Sequence, residues 1–389
     1  MFLVNVASLY DILGVDPKAK SVQLRNAYRR LARAYHPDVN PDPRAHERMA
    51  QINMAFETLN DPARRMEYDT QLFGAPGVST HAVVEDEPVS RDSVSVRLAY
   101  RLKDHRTPIY SLAFEPDTNQ LISSSFDNQI LWWNKGFEVR RSLRLEGGVV
   151  NIVHPIGGDK IVAAGCSESL ISVWQIQSGE VVTWRNSPLE WICCTGIAPD
   201  GAKVALGSLH SLVQVCKSAT GDCIFVGNKH DQSVTAVVWS PDGKYLASGS
   251  ADATVKIWSA VTGKLLHSFD SVRSTVTALA FSPDSRMIAV AAVDRSIRIF
   301  RLGDNDLIKT FFGHEKPIES LAFHPQGQLL ASASRDGVVY LWNVLQGRGH
   351  GKIEASAQPL STVAFSSDGQ FLAAGGLDKI IRVYELTFS

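Results

Sequence analysis

The sequence predicts a multidomain chain, a small all-α module followed by a much larger all-β region. Apolar residues recur at three- and four-residue steps between residues 8 and 72, the period of a helix face, whereas beyond residue 94 they alternate in short runs broken by turn residues. Within the β region one spaced pattern returns at a fixed interval, which makes it an array of like units.

Composition limits the rest. At 389 residues, 44% hydrophobic and 20% charged, the chain can bury a large core and has room for two or three domains. Lysine and arginine total 39 against 40 acidic residues, so the net charge of −1 supplies no general attraction to nucleic acid or anionic lipid. The opening MFLVNVASLY lacks a basic n-region and runs straight into a helical pattern, and no apolar run approaches the roughly 20 residues of a membrane span. Neither a secretory signal nor a span is expected. Five cysteines, Cys166, Cys193, Cys194, Cys216 and Cys223, show no CxxC pair and no zinc spacing, and a reducing cytoplasm is the expected location.

The α module is expected over residues 1–74. In Val22 to Tyr35, Leu24, Tyr28, Leu31 and Tyr35 form an apolar stripe while Arg25, Arg29 and Arg33 repeat on another face, with Arg30 beside them. A second helix is predicted from about Ala45 to Leu59 on Met49, Ile52, Ala55, Phe56 and Leu59, and Asp61-Pro62 ends it and opens a short third one. Between the first two stands His36-Pro37-Asp38. Pro37 has no amide to donate and pushes His36 out of helical geometry, so the tripeptide must be an exposed turn with Asp38 presented outward. An ionised carboxylate there accepts an arginine fork, which suits docking better than catalysis.

Residues 75–93, rich in Ala, Pro, Gly, Ser and Val with an acidic Glu85-Asp86-Glu87 cluster, read as a flexible linker able to span roughly 25 Å. From residue 94 to 389 an acidic or polar residue is followed six positions later by an apolar one, aromatic in six of the seven units, from Asp127 to Trp133, Glu168 to Trp174, His210 to Cys216, Asp252 to Trp258, Asp294 to Phe300, Asp336 to Trp342 and Asp378 to Tyr384. The first residues of successive units differ by 41, 42, 42, 42, 42 and 42. The last unit stops at Ser389 before its fourth strand. Counting back from Lys264 to Phe269 by four units, one of them 41 residues long, puts Arg97 to Leu102 in that slot, so the strand 94–102 is expected to complete the last unit.

Two resemblances follow from these residues. Tyr10-Asp11-Ile12-Leu13-Gly14, Ala27-Tyr28-Arg29-Arg30-Leu31-Ala32, the His36-Pro37-Asp38 turn, Ile52-Asn53, Phe56 and the stretch Asp61 to Asp69 resemble the J-domain of DnaJ-like co-chaperones. That resemblance implies an ATP-bound DnaK-type heat-shock chaperone as partner, engaged by His36, Pro37 and Asp38 with Arg25, Arg29, Arg30 and Arg33 as electrostatic contacts worth about 0–1 kcal/mol each. The repeats resemble the WD-repeat family, which implies a seven-bladed β-propeller of four-stranded blades. One departure in the α module is Lys20, which stands ahead of Gln23 where a helix cap is expected, with Ser21 available one residue later. Neither a Gly/Phe-rich stretch nor CxxCxGxG zinc repeats follow the α module, so general holding of unfolded clients is not expected.

Three clusters in the β region combine Ser, His and Asp. They are His105, Ser123, Asp127 and Trp133; His230, Ser248, Asp252 and Trp258; and His314, Ser332, Asp336 and Trp342. A hydrolytic triad would not recur in register with a tryptophan that only donates, so the sets resemble the structural tetrad of WD-repeat blades. Elsewhere Val272 and Ser356 replace the histidine, Ala164, Leu206, Val290 and Ala374 replace the serine, and Glu168 and His210 replace the aspartate; those blades are expected to rely more on apolar packing. The residues before each turn acid and at the start of each inner strand, Tyr110, Phe126, Trp191, Leu209, Glu319, Arg335 and Leu377, are the candidate surface for an unidentified protein client. No cofactor, metal or nucleic acid is implied, and catalysis is not expected. The function expected is that of a co-chaperone that stimulates the chaperone ATPase and targets it to the bound client; the alternative is an interaction scaffold whose J-domain is vestigial or structural.

Overall fold

The structure is a computed structural model that describes residues 9–16, nine helical positions between 24 and 59, and 94–388 apart from 146–149, 158–159, 168–169, 178–179, 187–190 and 228–229. The chain divides into two compact units, residues 1–89 and 90–389.

In the first unit Leu9–Leu13 is helical, as are the described positions between Leu24 and Leu59. Residues three and four apart share one face of a helix, so each stripe in the sequence can bury as a block. Tyr10, Leu13, Leu24, Ile52, Ala55 and Leu59 are buried together, with Tyr28, Leu31 and Phe56 packed against them. The rings of Tyr28 and Phe56 stack with centroids 4.2 Å apart. His36, Pro37, Asp38, Arg25, Arg29, Arg30, Arg33 and the stretch 75–93 lie outside the described residues.

The second unit is a seven-bladed β-propeller of four-stranded antiparallel sheets. Six blades use four consecutive strands. The seventh joins Leu360–Phe365, Phe371–Gly376 and Ile381–Phe388 to Val94–Leu102. Val94 pairs with Phe388 and Leu102 with Ile381, so the first strand of the unit closes the ring on the last. The Val94 amide also donates to His350 Nε2 of the sixth blade at 2.9 Å. Among the described residues no helix is long and apolar enough to cross a membrane.

Both faces of a blade are apolar because every blade is covered by two neighbours. The core is therefore divided among blade interfaces. Phe269 and Phe300 meet between the fourth and fifth blades, Trp133 packs with Ile381 and Val383 between the seventh and first, and Trp258 packs with Val215 and Val234 between the third and fourth. Each such side chain contributes about 1.5–3 kcal/mol by leaving water.

One local irregularity repeats. The inner strands shift register around Tyr110, Cys193, Thr235, Thr277, Glu319 and Ser361, a β-bulge at one place in six blades. A bulge turns the extra side chain off the ladder and re-aims it. Tyr110 and Glu319 of the candidate surface are bulge residues.

Candidate functional site

In five blades the turn aspartate, Asp127, Asp252, Asp294, Asp336 or Asp378, performs a backbone task before any other. The residue after it is left-handed, with φ of 63° at Asn128, 64° at Ala253, 68° at Arg295, 80° at Gly337 and 66° at Lys379. The carboxylate accepts the amide two residues on, at 2.9 Å from Thr254, 3.1 Å from Ser296, 2.9 Å from Val338 and 3.1 Å from Ile380. Aspartate is the side chain that closes such a turn while its neighbour leaves the ordinary β region. At Gly337 no other residue fits, since an added Cβ would collide with the Ser356 carbonyl.

In the fourth and sixth blades the turn acid also holds the loop histidine. Trp258 Nε1 donates to Ser248 Oγ at 2.8 Å, that oxygen lies 2.7 Å from His230 Nε2, and His230 Nδ1 lies 3.0 Å from Asp252. Trp342, Ser332, His314 and Asp336 repeat this at 2.8, 2.7 and 2.9 Å. The indole can only donate, and the ring must offer Nδ1–H to the carboxylate, so the serine hydroxyl donates to Nε2. Burial pushes both histidines below their ordinary pKa, against the pull of their aspartates. For Asp252 burial acts upward, but the Asp231 amide, the Thr254 hydroxyl and His230 together bring it down to about 2. A neutral ring locked between a serine and a permanent carboxylate is a brace, and its hydroxyl is already engaged by the tryptophan.

The first blade departs from this arrangement. Trp133 Nε1 donates to Ser123 Oγ at 2.9 Å and His105 Nε2 lies 2.7 Å from that oxygen, but no acceptor among the described residues reaches His105 Nδ1. Thr107 is the reason. Its hydroxyl lies 2.9 Å from Ser125 Oγ and accepts the Asp127 amide, and Ser125 donates to Asp127 at 2.5 Å, so the carboxylate is drawn toward Ser125 and away from the ring. The equivalent positions in the other two sets are Gln232 and Lys316, whose backbone carbonyls take the corresponding serine hydroxyls. Burial lowers His105 to about 4, with Asp127 and Asp104 opposing.

Two of the blades without histidine contain a substitute that the sequence reading missed. Arg382 pairs with Asp378 and Arg298 with Asp294, each at 2.7 Å, with the arginine side chains 10% exposed. Ser356, standing where the histidine would be, donates to Asp378 at 2.7 Å. Burial would raise both carboxyls, but the guanidiniums hold them below the usual carboxylate range. Apolar packing alone therefore does not hold the fifth and seventh blades. The signal was present as Asp-x-x-x-Arg in these two units. In the third blade His210 is exposed, and Leu206 and Cys216 join an apolar cluster with Ala164 and Val173 of the second. Glu168 lies outside the described residues.

The bulge residue and the residue before the turn acid come together at the loop end of two blades. Tyr110 and Phe126 are exposed with ring centroids 5.9 Å apart, and Arg335 Nε lies 2.5 Å from Glu319 Oε1. Trp191 is exposed with a φ of 55°, and its carbonyl accepts the Leu209 amide at 2.8 Å. Leu377 and Leu209 are exposed as well, and so is Val293, the equivalent residue of the fifth blade, which the reading passed over. In this arc Glu319 and Arg335 neutralise each other, and the equivalent bulge residues Thr235, Thr277 and Ser361 are polar but uncharged. A free apolar and aromatic arc of this kind can bury against a protein surface, whereas the exposed ion pair adds little.

Comparisons with known proteins separate the two units. Residues 8–69 match the DnaJ domain family, residues 97–134 the WD domain, G-beta repeat family, and residues 209–388 the IFT122 first beta-propeller family. The chaperone protein DnaJ of Acaryochloris marina is 53% identical over 73 residues, 19% of this chain and 19% of that one. Those of Thermosynechococcus vestitus and Crocosphaera subtropica are 54% and 57% identical over 70 and 68 residues, 18% of each chain. The match thus spans about a fifth of the length of these relatives. The chain carries a DnaJ domain joined to a WD-repeat propeller.

Proposed function

We propose that this chain is a co-chaperone. An all-α DnaJ domain engages a DnaK-type heat-shock chaperone in its ATP-bound state and accelerates ATP hydrolysis through His36, Pro37 and Asp38, while the propeller holds a protein client at the arc of Tyr110, Phe126, Trp191, Leu209 and Leu377. The observation that carries this reading is the DnaJ match over residues 8–69, which encloses the sequence His36-Pro37-Asp38 and the basic residues before it. Arg25, Arg29, Arg30 and Arg33 steer the encounter through screened charge, so the complex is transient and salt-sensitive. The braced Ser-His-Asp sets are structural, and the chain performs no catalysis of its own. It works in the cytoplasm, where ATP and the chaperone are both present.

The test uses the full chain. Added to a DnaK-type chaperone, it should raise ATP turnover, and Asp38→Asn should abolish the rise while leaving client capture unchanged. No stimulation by the unaltered chain would sink the proposal. Full rescue of a deletion strain by the Asp38→Asn chain would instead favour a scaffold whose DnaJ domain is vestigial.

A further inference from the structure

The third blade contains two thiols at paired positions. Its third strand, Val213–Lys217, and outer strand, Cys223–Gly227, are antiparallel, and after a register shift beyond Val215 the partner of Cys216 is Cys223. Directly opposed residues point to one face of a sheet, with Cβ atoms about 4.5–5.5 Å apart. The equivalent pairs in other blades are Trp258 with Leu265, Phe300 with Leu307 and Trp342 with Gly349, a large aromatic residue opposite a small or aliphatic one. Only in the third blade, among the described residues, are both members cysteine.

We propose that Cys216 and Cys223 form a reversible cross-strand disulfide when the protein meets a hydroperoxide. Both thiols are free in this structure, Cys216 fully buried and Cys223 exposed. The order of chemistry follows from that difference. The exposed Cys223 thiolate attacks the O–O bond of the peroxide and takes one oxygen as a sulfenic acid, releasing the alcohol or water. Cys216 then loses its proton and attacks the Cys223 sulfur, forming the S–S bond and expelling hydroxide. Two thiols and one hydroperoxide thus become one disulfide, one water and one alcohol or second water.

The bulge between the strands supplies the movement this requires, because a disulfide needs its Cβ atoms about 3.5–4.5 Å apart and a bulged ladder bends locally. Resolution is the slow step. Burial first, then the Cys223 and Asp222 neighbours, push the Cys216 thiol up to about 11, so little thiolate exists at neutral pH. Once formed, the bond ties the outer strand to its sole neighbour in the sheet. The exposed Cys223 end leaves the bond open to attack by cellular thiols, which suits reversal.

Trypsin distinguishes the outcomes, because Lys217 lies between the two cysteines. After treatment of the full chain with hydrogen peroxide and blocking of free thiols, the peptides Val204 to Lys217 and Ser218 to Lys229 should appear joined and separate again on reduction. With peroxide in excess, the rate of joining should rise about tenfold per pH unit from 7 to 9, as the thiolate fraction of Cys216 rises. Cys216→Ser should leave Cys223 as a trappable sulfenic acid, and Cys223→Ser should leave Cys216 unoxidised. The proposal is overturned if Cys223 is oxidised without becoming joined to Cys216, if it pairs instead with Cys193 or another chain, or if the joining rate does not depend on pH.

Discussion

Arg382 reaches Asp378 at 2.7 Å with their side chains only 10% and 12% exposed, in a blade that lacks the histidine of its neighbours. A carboxylate that must close a turn at a blade edge cannot stay unpaired where solvent is excluded, and the arginine four residues on supplies the charge that the loop does not.

Arg382→Met should therefore destabilise the propeller by about 3–5 kcal/mol, the usual cost of leaving one member of a buried pair alone. Arg298→Met should cost less, because Asp294 is 32% exposed and water can partly replace the guanidinium. Urea unfolding followed by tryptophan fluorescence measures both, and equal losses would show that exposure of the acid does not set the cost.

His105 and His314 occupy equivalent places but should respond differently. His314→Ala removes a partner from both Ser332 and Asp336, whereas His105→Ala removes one from Ser123 alone. The first should cost about 1–2 kcal/mol more than the second, since a charged acceptor loses a bond. Thr107→Val should release Ser125 and let Asp127 turn toward His105, which a raised His105 pKa in an NMR titration would report.

Acid should weaken the propeller in a defined window. His105 titrates near 4 in the folded chain, below the ordinary value of about 6.5, so on acidification the unfolded chain takes up the proton first. Its contribution, about 3 kcal/mol, is intact above pH 6.5 and is lost as pH falls from there to 4. His230 and His314 act in the same direction, and Asp252, held near 2, adds a further loss below pH 4. Urea midpoints at pH 7, 6 and 5 test this, and His105→Gln should flatten the decline.

The exposed arc should separate binding from stability. Phe126→Ala together with Leu209→Ala should reduce client capture at least about tenfold, the effect of losing hot-spot side chains, with unfolding midpoints nearly unchanged. Stimulation of the chaperone ATPase without client should not change. An equal loss of stability and capture would mean that these side chains hold the blade edge rather than a partner.

Periodicity made much of this molecule legible. A spacing of 42 residues, held across six of the seven units, is a property of backbone geometry, so it reveals the number of blades without any knowledge of contacts. The stripes of Leu24, Tyr28 and Leu31 and of Ile52, Ala55, Phe56 and Leu59 were likewise readable, and they meet in one core. Val293 was readable by the same rule that singled out Phe126 and Leu209. The arginine substitutes could have been found by asking which neighbour satisfies Asp294 and Asp378 once Val272 and Ser356 stand in place of histidine.

What the sequence by itself determined is what depends on counting: seven units spaced by 41 or 42 residues, a turn acid in six of them, and a helical module bearing His36-Pro37-Asp38. Tertiary structure decided everything that turns on which atom is nearest. Thr107 diverting Asp127 from His105, Arg382 reaching Asp378, and Cys216 facing Cys223 across a bulge all depend on differences of an ångström or two. The hydrogen bond and the ion pair are decided at that range, while strand and helix periods are set by the backbone over many residues.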